Sequence, residues 1–263
     1  MMIIPSVLYK YQRVNANSLV NLKTHAIYMA SPLGFNDPYD CALGSVMHEV
    51  TDSELDRIVS YCAKQVDVPV SIKQQLSSFN KIDLKAVFLK GSKSAIEQQV
   101  QQFLKRNGVA CFTERKDNLL MWAHYGGCYK GFCLEFRTHF YPFNKMRMVQ
   151  YTPEIPHINI ASCLIENDFD HITDLYCTKS ADWQYEKEWR LIHQEAETSY
   201  IYPVEALRAV YFGPNIDMKD VDTIASILRA QNPSVELWMG KLSKTQFKVS
   251  VVRLTNCIDV RQE

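Results

Sequence analysis

Short, mostly apolar runs rich in β-branched and aromatic residues lie toward both ends of the chain, and turn residues such as Gly213-Pro214 bound them, which predicts β-strands. At Glu186–His193 polar and apolar residues alternate with the period of two that is typical of a strand. We predict strands at Val7–Tyr11, His25–Ala30, Val109–Thr113, Gly131–Phe136, Met146–Tyr151, Glu186–His193, Leu207–Phe212, Val235–Met239 and Phe247–Leu254.

The middle of the chain has a helical period instead. Between Thr51 and Asn107, apolar residues such as Leu55, Ile58 and Cys62 recur at helical spacing. This pattern predicts several helices in an insertion at 51–107 beside the sheet. Other helices are predicted at Ala16–Leu22, Asp117–Tyr125, Ser162–Tyr176 and after Asp217. We therefore predict an α+β fold of mixed, largely antiparallel strands, in one compact domain spanning residues 1–263.

Composition is that of an ordinary globular protein. Apolar residues make up 47% of the chain, and 29 basic residues balance 29 acidic ones. A zero net charge argues against a protein that needs a basic field to bind nucleic acid, although a local basic groove stays open. The eight cysteines are scattered, and Pro5 interrupts the apolar N-terminus. We expect free thiols, no signal peptide, no membrane-spanning helix and a cytoplasmic location.

The segment Trp183–Arg190, which reads WQYEKEWR, is the strongest candidate for chemistry. Glu186 and Glu188 lie two apart in the predicted strand Glu186–His193, so they project from one face about 6.5–7 Å apart. In a cleft, one carboxylate could hold a ribose hydroxyl while the other stabilises an oxocarbenium ion or activates a nucleophile. The alternative is a solvated strand face on which one glutamate pairs with Arg190.

A second group of candidates lies on the helix predicted at Asp117–Tyr125. It contains Trp122, His124 and Tyr125. His124 is a candidate general base because imidazole titrates near neutrality, or else a residue hydrogen-bonded at a helix end. The histidines and cysteines lack the paired spacing of zinc sites, so no metal site is expected.

Two further groups lie near the N-terminus. In the turn-rich stretch FNDPYD, Asn36 and Asp37 either shape a loop over a ligand or simply build the turn. On the first strand, Tyr9 and Tyr11 share one face and Lys10 takes the other. At most one of these two faces lines a cleft.

The sequence resembles the bacterial domain-of-unknown-function family 2971, whose name carries no activity. The matching pieces follow one another along most of the chain but leave out 51–107. They are LYKY at Leu8–Tyr11, FNDPYD at Phe35–Asp40, CFTERKDNLLMWAHYGGCYKGFCLEF at Cys111–Phe136, KSADWQYEKEWRLI at Lys179–Ile192 and AVYFGPNI at Ala209–Ile216.

A more distant similarity is to ADP-ribosyltransferases. These enzymes order a strand, a helix, a short strand and a loop over nicotinamide, and they place a catalytic glutamate of an E-x-E pair on a later strand. Leu8–Asp40 and Glu186-Lys187-Glu188 follow that order, whereas the R-S-E and H-Y-E residue sets are missing. The resemblance implies a split sheet, NAD as cofactor and Glu188 as the catalytic acid. With the groups above it assigns catalysis to Glu188, Glu186 and His124, and NAD binding to Tyr9, Lys10, Tyr11, Asn36, Asp37, Trp122, Tyr125 and Arg190.

On this interpretation the chain is a bacterial toxin or phage-defence effector. Its target is a nucleic acid or a protein, it needs no membrane, and a partner protein or antitoxin is possible. One alternative is a non-enzymatic module that senses a ligand or partner in bacterial defence. Another is a metal-dependent nuclease that uses Glu186, Glu188, Asp182 and His124. NAD consumption, binding without turnover and metal-dependent cleavage distinguish the three.

Overall fold

The computed structural model describes residues 3–41, 46–47, 49–166 and 174–254. Within them the chain forms two compact units. The first unit draws on the described residues of 1–31, 106–149 and 182–263, and the second on those of 32–105 and 150–181. The expected single domain with an insertion at 51–107 stays a prediction.

The described strands are short, as predicted, and the helices cluster in the middle of the chain. The strands are β1 (Val7–Gln12), β2 (Ala26–Met29), β3 (Val46–Met47), β4 (Gly108–Thr113), β5 (Phe132–Arg137), β6 (Arg147–Met148), β7 (Gln150–Thr152), β8 (His157–Ile158), β9 (Thr178–Ser180), β10 (Glu188–His193), β11 (Thr198–Ile201), β12 (Leu207–Phe212), β13 (Glu236–Leu242) and β14 (Val249–Arg253). The described α-helices are α1 (Ala16–Lys23), α2 (Asp52–Lys64), α3 (Val70–Ser78), α4 (Lys81–Arg106), α5 (Leu119–His124), α6 (Ile160–Ile165) and α7 (Met218–Gln231).

The first unit is built on an eight-stranded sheet with the order β14-β13-β12-β5-β1-β4-β10-β6. Among the described pairs of this sheet, β12 and β13 run parallel and the others run antiparallel. The parallel pair is joined through α7, as a parallel connection requires a crossover. β2 and β11 form a separate antiparallel pair. The predicted α+β fold with largely antiparallel strands is confirmed.

One face of this sheet is the main apolar core. Leu8, Phe112 and Phe136 are completely or almost completely buried there, together with Trp189 and Leu191 from β10. Helices α1 and α7 pack against each other and contribute apolar side chains to the same core. Burying an apolar face of this size is the main source of stability for such a sheet.

The opposite face is buried as well, and it carries polar residues. A row of directly opposite residues crosses five strands in the order Glu188, Thr113, Tyr9, Glu135 and Ala209. Glu188 and Glu135 are three strands apart in this row, which corresponds to about 14 Å. Both faces of β10 are therefore covered, and its polar residues need partners inside the protein.

The second unit is mostly helical. Helix α2 begins with a capping box in which Thr51 and Glu54 satisfy each other's backbone N–H groups. Leu55 and Ile58 of α2 lie in a small core with residues from α4 and α6. In the described residues of this unit, β3 pairs with β8 and β7 pairs with β9. No helix within the described residues is long and apolar enough to span a lipid bilayer.

Three predicted elements differ from the structure. The strand predicted at Glu186–His193 begins at Glu188, because the chain is still in a 3-10 helix as far as Glu186. The strand predicted at Met146–Tyr151 is divided into β6 and β7, which pair with different strands. The helix predicted at Ser162–Tyr176 overlaps α6 at its start, and its residues 167–173 lie outside the described residues.

Candidate functional site

Glu186 and Glu188 lie on either side of a sharp bend. Lys187 between them has a φ of +43°, a conformation that is uncommon for any residue other than glycine. The bend is held to β4 by the Thr113 hydroxyl, which donates to the Glu186 carbonyl at 2.5 Å, and by the Glu114 N–H, which donates to the Lys187 carbonyl at 3.2 Å. The two carboxylates therefore come from a bend, and the prediction that they share one face of a strand is wrong.

Glu188 is paired with Arg190 inside the protein. The Arg190 Nε donates to Glu188 Oε1 at 2.8 Å and Nη2 donates to Oε2 at 3.0 Å. Arg190 is 0% exposed and Glu188 is 3% exposed. Residues two apart on a strand face the same way, so this pairing follows from the sequence spacing. The predicted solvated face is wrong, because both side chains are buried.

Glu186 is held by α5. Its Oε1 accepts a hydrogen bond from the Tyr125 hydroxyl at 2.6 Å. Tyr125 is placed there because α5 is fixed at its start by Asn118, whose side chain caps the helix and donates to the Tyr185 carbonyl at 3.3 Å. Two hydrogen bonds thus connect α5 and its N-cap to the 3-10 segment, one at Tyr185 and one at Glu186.

Several aromatic side chains lie beside Tyr125, the hydrogen-bond donor to Glu186. The exposed His124 ring lies 6.2 Å from the ring of Tyr125 and 6.4 Å from that of Tyr185, and Trp183 lies 6.0 Å from Tyr185. Trp183 and Tyr185 are half-buried. The structure therefore brings His124, Tyr125, Tyr185 and Glu186 together beside the bend that leads into Glu188, and we call this region, with Glu188, the bend site.

Trp122, Tyr11 and Tyr9 lie on the same side of the sheet but are buried. The Trp122 indole is 0% exposed and donates to the Lys116 carbonyl at 2.9 Å. The Tyr11 ring packs edge-on against it at 4.9 Å, and the Tyr11 hydroxyl donates to the backbone. Burial, with a smaller contribution from Glu135, raises the pKa of Tyr9 well above its usual value. These contacts give the three aromatic residues a packing role, and their predicted contact with a ligand stays a prediction.

Lys10 faces the opposite side of the sheet. Its Nζ donates to the Cys111 carbonyl at 3.1 Å and lies 5.1 Å from the centre of the Phe112 ring. Burial lowers the pKa of this lysine because a charged amine is poorly solvated there. Lys10 and the Tyr9–Tyr11 pair therefore do not share a face, as the alternation in β1 predicted.

Asn36 and Asp37 belong to the second unit. The Asp37 carboxylate accepts a hydrogen bond from the Tyr39 N–H at 2.9 Å, which is the geometry of an Asx turn. Close by in sequence, Asp40 forms a buried ion pair with Lys179 at 3.2 Å. This pair was not predicted, because nothing in the FNDPYD stretch indicates a partner so distant along the chain.

Glu135 is a second buried glutamate that sequence reasoning missed. It is 1% exposed and accepts hydrogen bonds from Arg208 at 2.7 Å and from the Tyr211 hydroxyl. The Lys116 ammonium lies over the Tyr211 ring, 4.6 Å from its centre. An acidic residue in the otherwise apolar run Phe132–Phe136 was the available signal, since a buried charge needs partners.

Cysteine and metal chemistry add little to this picture. The six cysteines whose side chains are described are free thiols; the Cys163 side chain and Cys257 lie outside the described residues. In the part of the chain that the structure describes, no group of three or more His, Cys, Asp or Glu side chains is arranged to hold a metal ion.

Residues 121–191 match the model of a family described as protein of unknown function (DUF2971). The matched range includes most of α5, all of β5 and the whole Glu186–Glu188 bend. No curated protein and no solved structure matches the chain. The resemblance to this family is therefore confirmed for residues 121–191, while the relation to ADP-ribosyltransferases draws no support from these comparisons.

Proposed function

We propose that the chain, which contains a DUF2971 domain at residues 121–191, transfers the ADP-ribose group of NAD at the bend site. The observation that carries the proposal is that two neighbouring carboxylates accept hydrogen bonds from different donors. Glu188 accepts hydrogen bonds from Arg190 through both of its oxygens, and Glu186 accepts one from the Tyr125 hydroxyl. Two carboxylates in different environments are suited to different tasks.

Glu188 has the task of stabilising positive charge. When the bond between nicotinamide and ribose breaks, its electron pair leaves with nicotinamide, and positive charge develops on the sugar. A fixed carboxylate beside that sugar lowers the barrier, an effect typically of about 3 kcal/mol or a hundredfold in rate. Arg190 fixes the carboxylate in one orientation by contacting both of its oxygens.

Glu186 and His124 have the remaining tasks. A ribose hydroxyl would replace the Tyr125 hydroxyl as the donor to Glu186. The acceptor group on the target attacks the ribose carbon and loses a proton, which the exposed imidazole of His124 takes up as the general base. Because Glu188 is buried, the side chains that cover it have to move aside for the sugar to reach it.

The test is release of nicotinamide from NAD, measured by chromatography with bacterial nucleic acid or protein extract as the acceptor. Glu188→Gln removes the charge and keeps the shape, so its rate should fall about a hundredfold. Glu135→Gln is the matched control, since Glu135 is also a buried, arginine-paired glutamate on this face of the sheet. Its rate, corrected for the folded fraction, should stay close to that of the wild type.

Tyr125→Phe is a second variant that leaves the buried ion pair intact. It removes the hydrogen bond to Glu186 and should change the rate severalfold while the melting temperature changes little. If the wild type consumes no NAD with any extract, the transferase proposal fails. Binding of NAD without nicotinamide release would favour the ligand-sensing alternative, and full activity of Glu188→Gln would mean that another residue is the catalytic acid.

A further inference from the structure

Positive charge is concentrated around the turn of the hairpin formed by β13 and β14. From Leu237 to Ser250 the sequence contains Lys241, Lys244 and Lys248 and no acidic residue, although the whole chain has a net charge of zero. At the other end of the hairpin, Arg253 pairs with Glu236, the first residue of β13, at 3.5 Å. The three lysines are exposed around the turn. Such a local concentration of positive charge attracts an anionic partner regardless of the overall balance.

An exposed aromatic ring lies among these lysines. Phe247 is 99% exposed, and Lys248 follows it directly. The turn that presents the ring is hydrogen-bonded, with the Ser243 N–H donating to the Lys248 carbonyl at 3.1 Å and the Ser243 hydroxyl oxygen accepting from the Gln246 N–H at 3.2 Å. The ring is thus held out on an ordered turn among ammonium groups.

A second ring lies further along the hairpin. Trp238 on β13 is half-buried and stacks on Tyr211 at 6.1 Å, and Arg253 is its cross-strand partner on β14. Trp238 and Leu242 are four residues apart on β13, a backbone distance of about 13 Å, and Phe247 lies in the turn beyond Leu242. The surface of the hairpin along this length and the turn beyond it can accommodate on the order of four nucleotides of a single strand.

We propose that the β13–β14 hairpin binds single-stranded nucleic acid, with its lysines contacting phosphates and Phe247 stacking on a base. Unpaired bases can stack on an exposed ring, whereas the bases of a duplex are already stacked on one another. An anionic membrane is the less favoured partner, because one exposed ring is a small apolar surface for insertion. The proposal does not rest on NAD chemistry, since binding is measured without NAD.

The experiment is fluorescence anisotropy of fluorescein-labelled 12-nucleotide oligo(U) and oligo(dT), titrated with the full chain at several KCl concentrations. Phe247→Ala should weaken binding by roughly 5- to 100-fold, the usual effect of losing one stacked base. The double variant Lys244→Gln/Lys248→Gln should reduce the slope of log affinity against log salt by about 1.4, because each lost phosphate contact removes about 0.7. Since these side chains are exposed, the variants should fold as the wild type does.

Matched controls come from the same unit. Ile201→Ala removes another exposed apolar side chain, and Lys23→Gln/Lys219→Gln removes two exposed lysines from α1 and α7; neither should weaken binding. The proposal is overturned if the wild type does not bind the oligonucleotides at 100 mM KCl, or if Phe247→Ala binds as well as the wild type. It is also overturned if phosphatidylserine vesicles are bound and the oligonucleotides are not.

Discussion

Replacing Arg190 with methionine should destabilise the protein strongly, because Arg190 is the counter-charge of a buried carboxylate. Its guanidinium is fully buried and holds both oxygens of the Glu188 carboxylate at 2.8 and 3.0 Å. Leaving that carboxylate buried and unpaired costs about 3–5 kcal/mol. The total stability of a folded protein is about 5–15 kcal/mol, so this is a large share of it.

Arg208→Met provides the matched comparison. Arg208 also pairs with a buried glutamate, but its side chain is 46% exposed, and Glu135 keeps the hydrogen bond from Tyr211. We expect a loss of about 1–2 kcal/mol. The double variant Glu188→Met/Arg190→Met removes both charges and should recover part of the stability lost by Arg190→Met, because the carboxylate that Arg190 contacts is removed with it.

The assay is equilibrium urea unfolding followed by tryptophan fluorescence. Trp122 and Trp189 are both buried in the first unit and report its unfolding. If Arg190→Met costs no more than Arg208→Met, the Glu188–Arg190 pair is not the strongly coupled buried pair that the geometry indicates. A double variant less stable than Arg190→Met would contradict the same reasoning.

Three further predictions concern pH and thiols. Burial raises the pKa of Tyr9, Tyr11, Tyr202 and Tyr211 above 10.0. The contribution of these tyrosines to stability should therefore be complete below pH 10 and should fall as the pH rises further. The midpoints of urea unfolding between pH 8 and about 11 measure this loss. A hydrogen bond from Arg115 lowers the pKa of Asp117 below 3.8. The contribution of the Asp117 carboxylate to stability is therefore present above that pH and is lost as the pH falls. Asp117→Asn should flatten this part of the acid unfolding curve. All eight cysteines should react as free thiols after denaturation without reductant, and fewer than six reactive thiols would contradict a reducing compartment.

Local patterns predicted most of the strands well. Runs of β-prone residues bounded by turn residues placed β4, β5 and β12, and the alternation of polar and apolar residues placed β10, each within a residue or two. The helical period between Thr51 and Asn107 likewise corresponds to α2, α3 and α4. In these stretches local preference and the tertiary environment agree, so the sequence is sufficient.

The candidate site was harder to predict because its residues break the rule that polar positions face water. Glu188 and Arg190 alternate with Trp189 and Leu191 as on a half-exposed strand, yet both are buried as a pair, and Glu135 is buried within an otherwise apolar run. Which charges pair depends on neighbours distant in sequence, such as Arg208 for Glu135. The bend at Lys187 also has no local signal, because its positive φ is imposed by hydrogen bonds from β4.

The most direct test of the proposed bend site is hydrogen–deuterium exchange with and without carba-NAD, an analogue in which a methylene replaces the ring oxygen of the nicotinamide ribose. This analogue resists cleavage, so the wild-type chain can be studied in its bound state. The account predicts slower exchange in peptides covering 119–125 and 181–190, which contain α5 and the bend. Unchanged exchange in both peptides at saturating analogue would contradict it.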